Sequence, residues 1–256
     1  MASTLRILTL NILNFADRWP QRLPLLLADF AAVQPDLAGI QEVVHVMEQD
    51  RVLAAAGPRR YGVRRAYTHA PEVGNSILVA DPLATRLRPP DETADRLDLK
   101  LGRCAHRAEV EVDGRRIRVV NTHLHHLAPD HAQREEQVER LIEWIAALEP
   151  VDATVVTGDF NALPGSGVYR RMQVAGYRSA YAEANGQEPE ATWPSGLVGA
   201  ATAVDGAWSG CLDYIWFAGA LEVRSARLSF DRPAVNDPTL FPSDHRAVVA
   251  EMEVLP

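Results

Sequence analysis

The chain has 256 residues, 47% of them hydrophobic and 23% charged, a balance typical of one globular domain with a substantial core. Its formal net charge of -8 argues against broad electrostatic attraction to nucleic acid, which depends on Lys and Arg neutralising several phosphates. An acidic chain can still carry a local basic groove. Carboxylates that bind a metal would also account for part of the net negative charge.

Nothing in the sequence resembles a targeting segment or a transmembrane segment. The longest apolar run, from Leu23 to Val33, contains Pro24 and Asp29 and is too short to cross a bilayer. Cys104 and Cys211 could form one bridge at most, and we expect both to be buried free thiols. We therefore expect a soluble, cytoplasmic protein in which residues 1–256 form a single domain, and the sequence does not predict its oligomeric state.

The first part of the chain alternates strand and helix patterns. Alternating apolar and polar residues predict an opening strand that ends on Asn11, and Leu23, Leu26, Leu27 and Phe30 share one face of a helix. The predicted elements are strands at 5–11 and 36–42 and helices at 20–33 and 43–56. Gly57-Pro58 ends the second helix.

Strand patterns dominate the rest of the chain. Asp113-Gly114 between alternating segments predicts a hairpin with a two-residue turn of positive φ. Apolar residues at helical spacing predict a helix from Asp130, a candidate N-cap, to Leu148. The predicted strands are 61–65, 75–79, 108–112, 117–122, 151–159, 214–217, 221–229 and 247–254, with a long loop at 182–209. This content favours two packed sheets with outer helices over a simple doubly wound sheet.

Polar residues recur where these strand patterns end. They are Asn11, Glu42, Asn121, His123, Asp159, Asn161, Asp213, Asp244 and His245. Residues at strand ends can converge on one rim of a sandwich, where a rigid scaffold supports a site. Carboxylates and amides suit a hard cation and imidazoles suit proton transfer, which are the needs of phosphate-ester hydrolysis.

Six segments in order resemble the motifs of the endonuclease/exonuclease/phosphatase superfamily. They are Thr9-Leu10-Asn11-Ile12, Gly39-Ile40-Gln41-Glu42, Asn121-Thr122-His123-Leu124, Gly158-Asp159-Phe160-Asn161, Leu212-Asp213-Tyr214-Ile215 and Ser243-Asp244-His245. The resemblance covers nearly the full chain and implies a DNase I-like α/β fold, a four-layer α/β/β/α sandwich of two packed, mostly antiparallel mixed sheets. It also implies a Mg²⁺-dependent phosphoric ester hydrolase, for which Mn²⁺ is a candidate substitute metal.

The same resemblance implies a role for each matching residue. Glu42 would be the principal metal ligand, with Asn11 and Asp244 close to the metal. Asp159 would orient and deprotonate the attacking water, and Asn161 would hold that water or a phosphate oxygen. His245, aligned by Asp213, would stabilise charge on the phosphoryl group. His123 would bond a phosphate oxygen or assist the leaving group.

Each of these residues also has a plain structural interpretation, and so do several weaker candidates. Glu42 and Asp213 could be solvated acids at strand ends, His123 a core or surface histidine, and Asp159 with Asn161 a turn. Asp244-His245 could be a helix or strand cap. The weaker candidates are His125, His126, Gly74-Asn75-Ser76, Trp193, and the arginines Arg59, Arg60, Arg64 and Arg65. For the paired histidines and the arginines we favour solvent-facing positions, and Trp193 would either stack on substrate or cover the core.

Two departures from the family pattern bear on the substrate. Abasic-site endonucleases carry an acidic residue where this chain has Leu13, and usually tyrosine where it has His123. The Asn-Thr-His-Leu form looks more like the branch with sphingomyelinases, deadenylases and small-molecule phosphatases. We therefore favour a phosphodiester or phosphomonoester of a small molecule, nucleotide or lipid headgroup as the substrate. The alternatives are a DNA or RNA nuclease and, third, a catalytically inactive binding protein.

Overall fold

Twelve strands make up the two sheets of the computed structural model, which describes residues 3–67, 73–89, 91, 94–199 and 209–256. The strands are β1 (Thr4–Asn11), β2 (Leu37–Val44), β3 (Tyr61–Tyr67), β4 (Val73–Ala80), β5 (Arg96–Asp98), β6 (Cys104–Val112), β7 (Arg115–His123), β8 (Ala153–Asp159), β9 (Arg178–Ser179), β10 (Asp213–Gly219), β11 (Leu221–Ser229) and β12 (Ala247–Val254). One sheet has the order β11-β12-β1-β2-β4-β3 and the other the order β5-β6-β7-β8-β10-β9. Both are mixed, because β1 runs parallel to β2 and β7 parallel to β8, while the other pairs are antiparallel.

Most of the helices cover the outer faces of the two sheets. The helices are α1 (Trp19–Val33), α2 (Gln49–Ala54), α3 (His131–Ala147), α4 (Gly167–Val174) and α5 (Ala180–Asn185), with 3-10 turns at His45–Met47 and Leu83–Arg86. α5 differs, because its Ala180 packs into the cluster between the sheets. Within the described part of the chain, no helix has the length and apolar character needed to cross a membrane.

Period-two alternation along the central strands divides the core into layers. Ile7 on β1 packs into the cluster between the sheets, whereas its neighbour Leu8 packs outward with Phe30 of α1. On the second sheet Val155 points into the same central cluster and Val156 packs outward with Leu141 of α3. The layers are therefore α/β/β/α, as the sequence predicted.

Several local predictions are confirmed. Asp113 and Gly114 have φ of 51° and 78°, the two positive values of the predicted hairpin turn. Both cysteines are free and buried. The predicted helix at 130–148 is α3, but the carboxylate of Asp130 makes no cap bond with its own helix and instead pairs with His125.

Two predicted segments are wrong. The helix predicted at 43–56 is present only as the short α2, which begins at Gln49. The residues before it continue β2 to Val44 and then form a 3-10 turn. Val43 and Val44 pair with Gly74 and Val73 of β4, and Glu48 takes a left-handed φ of 54° that separates the turn from the helix. The loop predicted at 182–209 includes part of α5, and its residues 200–208 lie outside the described residues. Three short elements, α4, β5 and β9, were not predicted.

Strand direction brings the predicted site residues to one edge of the sandwich, here called the polar edge. β1 and β2 end there at Asn11 and just past Glu42, and β7 and β8 end there at His123 and Asp159. The register places Asp159 beside His123 on one side and beside Asp213 on the other. Because β12 runs antiparallel to β1, the Asp244-His245 pair that precedes it reaches the same edge.

Candidate active site

Asp159 lies at the centre of the residues gathered at the polar edge. One of its oxygens, Oδ2, accepts a hydrogen bond from Asn11 Nδ2 at 3.0 Å and lies 3.5 Å from His123 Nε2 and 3.7 Å from His245 Nε2. The other oxygen, Oδ1, accepts from the backbone N–H of Asn161 at 2.9 Å. Burial, reinforced by the nearby charge of Asp213, raises the pKa of Asp159 to about 7.

Glu42 approaches Asp159 from the other sheet. The β2–β4 register shifts between Ile40 and Val43, and Glu42 takes a left-handed φ of 58° inside this bulge. A bulge re-aims a side chain, and a left-handed glutamate is rare enough to point to a functional constraint. Both carboxylate oxygens accept bonds from neutral amides, Oε1 from Asn11 at 3.1 Å and Oε2 from Asn14 at 2.7 Å. Asn14 was missed by sequence reasoning, since it lies in the loop beyond β1 with no strand pattern around it.

His245 is held by Asp213 on its other side. Nδ1 of His245 lies 2.9 Å from Asp213 Oδ2, which also accepts a bond from Thr192 Oγ1 at 2.6 Å. Burial opposes a charged imidazole, but Asp213, Asp244 and Asp159 outweigh it, and the pKa of His245 is raised well above its usual value. The sequence-predicted Asp213–His245 pair is thus a hydrogen-bonded ion pair.

The segment at 192–195 positions Asp244 through two hydrogen bonds. Asp244 Oδ2 accepts from Trp193 Nε1 at 3.0 Å, and its backbone carbonyl accepts from the N–H of Ser195 at 2.6 Å. Trp193 is only 7% exposed, so of its two predicted positions it takes the buried one. Neighbouring residues of one short segment, Thr192 and Trp193, therefore orient two different carboxylates.

His123 and Asn161 complete the set from the second sheet. His123 is buried, and its burial together with the positive Arg103 lowers the pKa of its imidazole well below the usual value. Asn161 has a left-handed φ of 47° and donates through Nδ2 to the carbonyl of Leu124 at 3.1 Å. The turn that was the plain interpretation of Asp159 and Asn161 is therefore present, and it lies within the site.

Asn121 does not join this group. It is fully buried between the sheets, where Nδ2 donates to the carbonyls of Ile40 and Ser76, both at 3.0 Å. Its Oδ1 accepts from Gln41 Nε2 at 2.6 Å. Asn121 therefore links the two sheets behind the site, and it holds β2 in place two residues before the Glu42 bulge.

A cavity of about 350 Å³ opens beside Glu42 and His123. Its other wall includes Arg103, His125 and His126. Arg103 Nη2 lies 2.9 Å from His126 Nδ1, and burial lowers the pKa of Arg103 against the raising effect of Glu42 and Asp159. Arg103 escaped the sequence analysis because it follows a short turn with no motif. Of the two histidines that we expected to face solvent, His126 is exposed, whereas His125 is buried at 8% exposure.

The remaining sequence candidates lie beside the site or away from it. Asn75 lines the cavity and donates to the carbonyl of Cys104 at 3.3 Å. Gly74 has no room for a side chain, since a Cβ would approach the Ala66 carbonyl to 2.1 Å. Arg59 pairs with Asp36 just before β3. Arg65 pairs with the fully buried Asp50 and is mostly buried itself, so it does not lie on the solvated face that we favoured. Among the described residues, Arg64 bonds only the backbone carbonyl of Arg88. Arg60 lines a cavity together with residues of α2.

The donor chemistry of the site fits a divalent cation. Three of its carboxylates, those of Asp159, Asp213 and Asp244, are almost fully buried, and Asp213 Oδ1 has no hydrogen-bond partner among the described residues. Carboxylate and amide oxygens are the ligands of hard cations, and buried carboxylates without enough positive partners are costly. Asn11, Glu42 and Asp244 are the residues that could hold the ion.

A second group of potential ligands, Asp159, Asp213 and His245, has one atom from each residue within 4.8 Å of the others. His245 bridges the two carboxylates, with Nδ1 2.9 Å from Asp213 Oδ2 and Nε2 3.7 Å from Asp159 Oδ2, and these acids raise the pKa of its imidazole. This pairing suits the trio to orienting a proton donor, although the same atoms could bind a metal ion in exchange for that proton.

Comparisons with known proteins agree with this geometry. The model of the Endonuclease/Exonuclease/phosphatase family matches residues 8–245. Truncated TDP2 from Caenorhabditis elegans superposes with a TM-score of 0.77 at 19% identity, covering 98% of each chain. The human nocturnin catalytic domain with bound sulfate gives 0.73 at 22% identity, covering 99% of this chain and 96% of that one. D. rerio TDP2 complexed with single strand DNA product gives 0.75 at 16% identity, covering 98% and 99%. A search of curated proteins with the sequence finds no match.

Proposed function

Because the chain belongs to the endonuclease/exonuclease/phosphatase family, whose members are metal-dependent hydrolases of phosphoesters, we propose that it is a Mg²⁺-dependent hydrolase of a phosphate ester. The substrate would be a phosphodiester or phosphomonoester of a small molecule, nucleotide or lipid headgroup. Mn²⁺ would substitute for Mg²⁺, since both prefer oxygen ligands.

One observation carries this proposal. Asp159 touches every part of the machinery that phosphoester hydrolysis needs: both histidines lie within 3.7 Å of its Oδ2, and Asn11 links that same oxygen to Glu42. A solvated acid at a strand end would be surrounded by water and not by two buried imidazoles and two amides. This supports a catalytic interpretation over the structural alternatives.

The proposed mechanism divides the work among the residues. Glu42, Asn11 and Asp244 would hold the cation, which supplies charge neutralisation at the phosphoryl oxygens. Asp159, fixed by the N–H of Asn161, would orient a water for in-line attack and take its proton.

The other groups would act on the phosphate itself. His245, fixed by Asp213, would donate to a phosphoryl oxygen as charge builds there, and His123 would donate to a second oxygen or to the leaving group. Asn161 would accept a hydrogen bond from the water through its side-chain carbonyl oxygen, or donate one from Nδ2 to a phosphoryl oxygen. Arg103, on the opposite wall of the cavity, is a further cation within reach of the same charge.

The test is hydrolysis of a broad panel of phosphate esters with matched small-ester and nucleic-acid arms, in the presence of Mg²⁺ or Mn²⁺. We expect turnover that is lost in Asp159→Asn and kept in the control Asp152→Asn, whose carboxylate pairs with Arg115 beyond the opposite end of β8. Absence of turnover across the whole panel, with a folded protein, would overturn the proposal.

The second candidate function is a nuclease, favoured by the likeness to D. rerio TDP2 complexed with single strand DNA product. Against it stand the net charge of -8 and the ion pairing of Arg59 and Arg65. A nuclease would cleave DNA or RNA with a rate that falls steeply as salt rises, because phosphate contacts release counterions. Such activity, lost in Asp159→Asn and His245→Ala, would favour this candidate over small esters.

A further inference from the structure

Exposed apolar side chains are concentrated around the mouth of the site. Ten large hydrophobic side chains of the described residues are well exposed, and only two of them, Val52 and Val174, lie on helices away from the loops at the polar edge. Six others lie on five separate segments at that edge: Phe15, Val46, Met47, Leu127, Val198 and Val235. Scattered exposed apolar residues are normal, but their concentration on one edge is typical of an interaction surface.

The strand register fixes where these segments are. Phe15 follows the end of β1 at Asn11, Val46 follows the end of β2, and Leu127 follows the end of β7 at His123. Tyr67 and Leu101 lie at the same edge, because Tyr67 pairs with Gly74 beside the end of β2 and Leu101 lies in the β5–β6 turn. We call these eight residues the apolar rim.

Several charged side chains next to the apolar rim are paired within the protein. Arg18, near Phe15, pairs with Asp237, near Val235. Lys100, next to Leu101, pairs with Glu136 of α3. Further pairs join Glu48 to Arg65 near Met47, and His125 to Asp130 around Leu127. Arg96 and Arg103 differ, because they bond the Tyr67 carbonyl and His126 and have no acidic partner among the described residues.

From this arrangement we infer that the apolar rim docks on the surface of a zwitterionic phospholipid bilayer. A chain of net charge -8 disfavours an anionic membrane or a nucleic-acid backbone, both of which require several unpaired cations. Apolar tips on separate loops suit an interface that they can enter individually, with the lipid phosphate below the mouth of the cavity. The substrate part of this inference rests on the proposed function, since it names a phospholipid headgroup phosphate as the ester; the docking part does not.

Flotation with vesicles of phosphatidylcholine tests the docking directly. The triple variant Phe15→Ser/Val46→Ser/Val235→Ser changes side chains that are 59%, 70% and 100% exposed, so the fold loses no buried contact. We expect the parent to float with the vesicles and the triple variant to bind about tenfold less or weaker still, because three anchors are removed. Val174→Ser is the matched control, since Val174 is 90% exposed at the end of α4 and should not matter.

Two enzymatic arms separate the docking from the chemistry. The triple variant should hydrolyse a water-soluble phosphodiester at the parent rate, which also shows that it is folded, but lose turnover of phospholipid in vesicles. Asp159→Asn should lose both activities and still float. Vesicle binding without hydrolysis of any ester would overturn the proposed function and leave the docking intact.

The docking inference fails if the parent hydrolyses soluble esters but does not float, or if Val174→Ser loses as much binding as the triple variant. It also fails if binding requires anionic lipid and disappears with salt. If the triple variant loses affinity for a single-stranded oligonucleotide, or a dimer seen by light scattering becomes a monomer, another occupant uses the rim and the inference is overturned.

Discussion

The Glu42 side of the site and the His245 side are both built around a carboxylate, yet the two carboxylates have different partners. Glu42 accepts hydrogen bonds from two neutral amides, those of Asn11 and Asn14. Asp213 accepts from a threonine hydroxyl and lies beside the imidazole of His245, whose pKa the surrounding acids raise. The amides orient Glu42 without bringing a positive charge into contact with it, whereas His245 lies in direct contact with Asp213.

The two carboxylates therefore suit different cations. A half-buried carboxylate fixed by neutral amides suits a metal ion, and a carboxylate in contact with an imidazole of raised pKa suits the orientation of a proton donor. We therefore place the metal on the Glu42 side and the proton on the His245 side.

The largest effect is expected from His245→Ala. Removing the donor that faces Asp159 and the phosphoryl group should lower kcat by about 10³-fold, within the range for general acid-base and charge-stabilising groups. The metal concentration giving half-maximal activity should change little, since the ion lies on the other side. Metal titrations of the rate measure both quantities, and a parallel loss of metal affinity would contradict the division.

Glu42→Gln should have the opposite signature. The amide keeps the shape of the carboxylate but loses its charge, so we expect the metal requirement to rise about 10²-fold, with much of kcat recovered at saturating metal. Calorimetric titration with Mg²⁺ checks the affinity without turnover. Equal metal affinity in Glu42→Gln and the parent would remove Glu42 from the metal site.

His106 isolates what burial alone does to a histidine. Its imidazole is buried with no hydrogen-bond partner among the described residues, and burial, with His45 and the positive Arg96 nearby, lowers its pKa to about 3. Since the unfolded pKa is about 6.5, the unfolded chain binds the proton first, and stability present above pH 6.5 is lost as the pH falls toward 3.

Chemical denaturation at two pH values checks this expectation. Between pH 7 and pH 5 the free energy of unfolding of the parent should fall by about 2 kcal/mol more than that of His106→Leu. An identical pH dependence in the two proteins would mean that burial does not suppress the charge of His106. His106 would then no longer show what burial alone does to the pKa of a histidine, and the raised pKa of His245 could not be attributed to Asp213 by comparison.

Asn14→Ala should have the smallest effect. Asn14 touches the candidate ligand Glu42 but not the reacting groups, so its loss should weaken metal binding about tenfold and leave kcat at saturating metal unchanged. Asn185→Ala is the control, because Asn185 bonds only the carbonyls of Tyr181 and Ala226. A fall in kcat without a change in metal affinity would mean that Asn14 acts on the reacting groups and not on the metal site.

In β1 and β12 burial alternates every second residue only at one end, from Thr4 to Ile7 and from Ala250 to Val254, because these strands are covered on both faces elsewhere. Periodicity in the sequence was still sufficient to predict most of the strands. It failed at 43–56, where strand, turn and short helix follow one another within a dozen residues and no period has room to repeat. That residues 1–256 form a single domain stays a prediction, as does the cytoplasmic location.

The site was predictable where a motif carried it and not elsewhere. The six motifs named Glu42, Asp159 and His245, and the polar edge brings all three together. Asn14 and Arg103 had no motif, because each reaches the site through a loop whose path depends on tertiary contacts. The bulge that turns Glu42 toward the site depends on the pairing of β2 with β4. No local sequence pattern predicts that pairing.

The most direct test of the division is the position of the ion itself. A crystal of the protein soaked in Mn²⁺ and measured at the manganese absorption edge would locate it by anomalous scattering. We predict a peak about 2.1 Å from a carboxylate oxygen of Glu42, the distance expected for a small hard cation. A peak between Asp159, Asp213 and His245, with none on Glu42, would contradict the account.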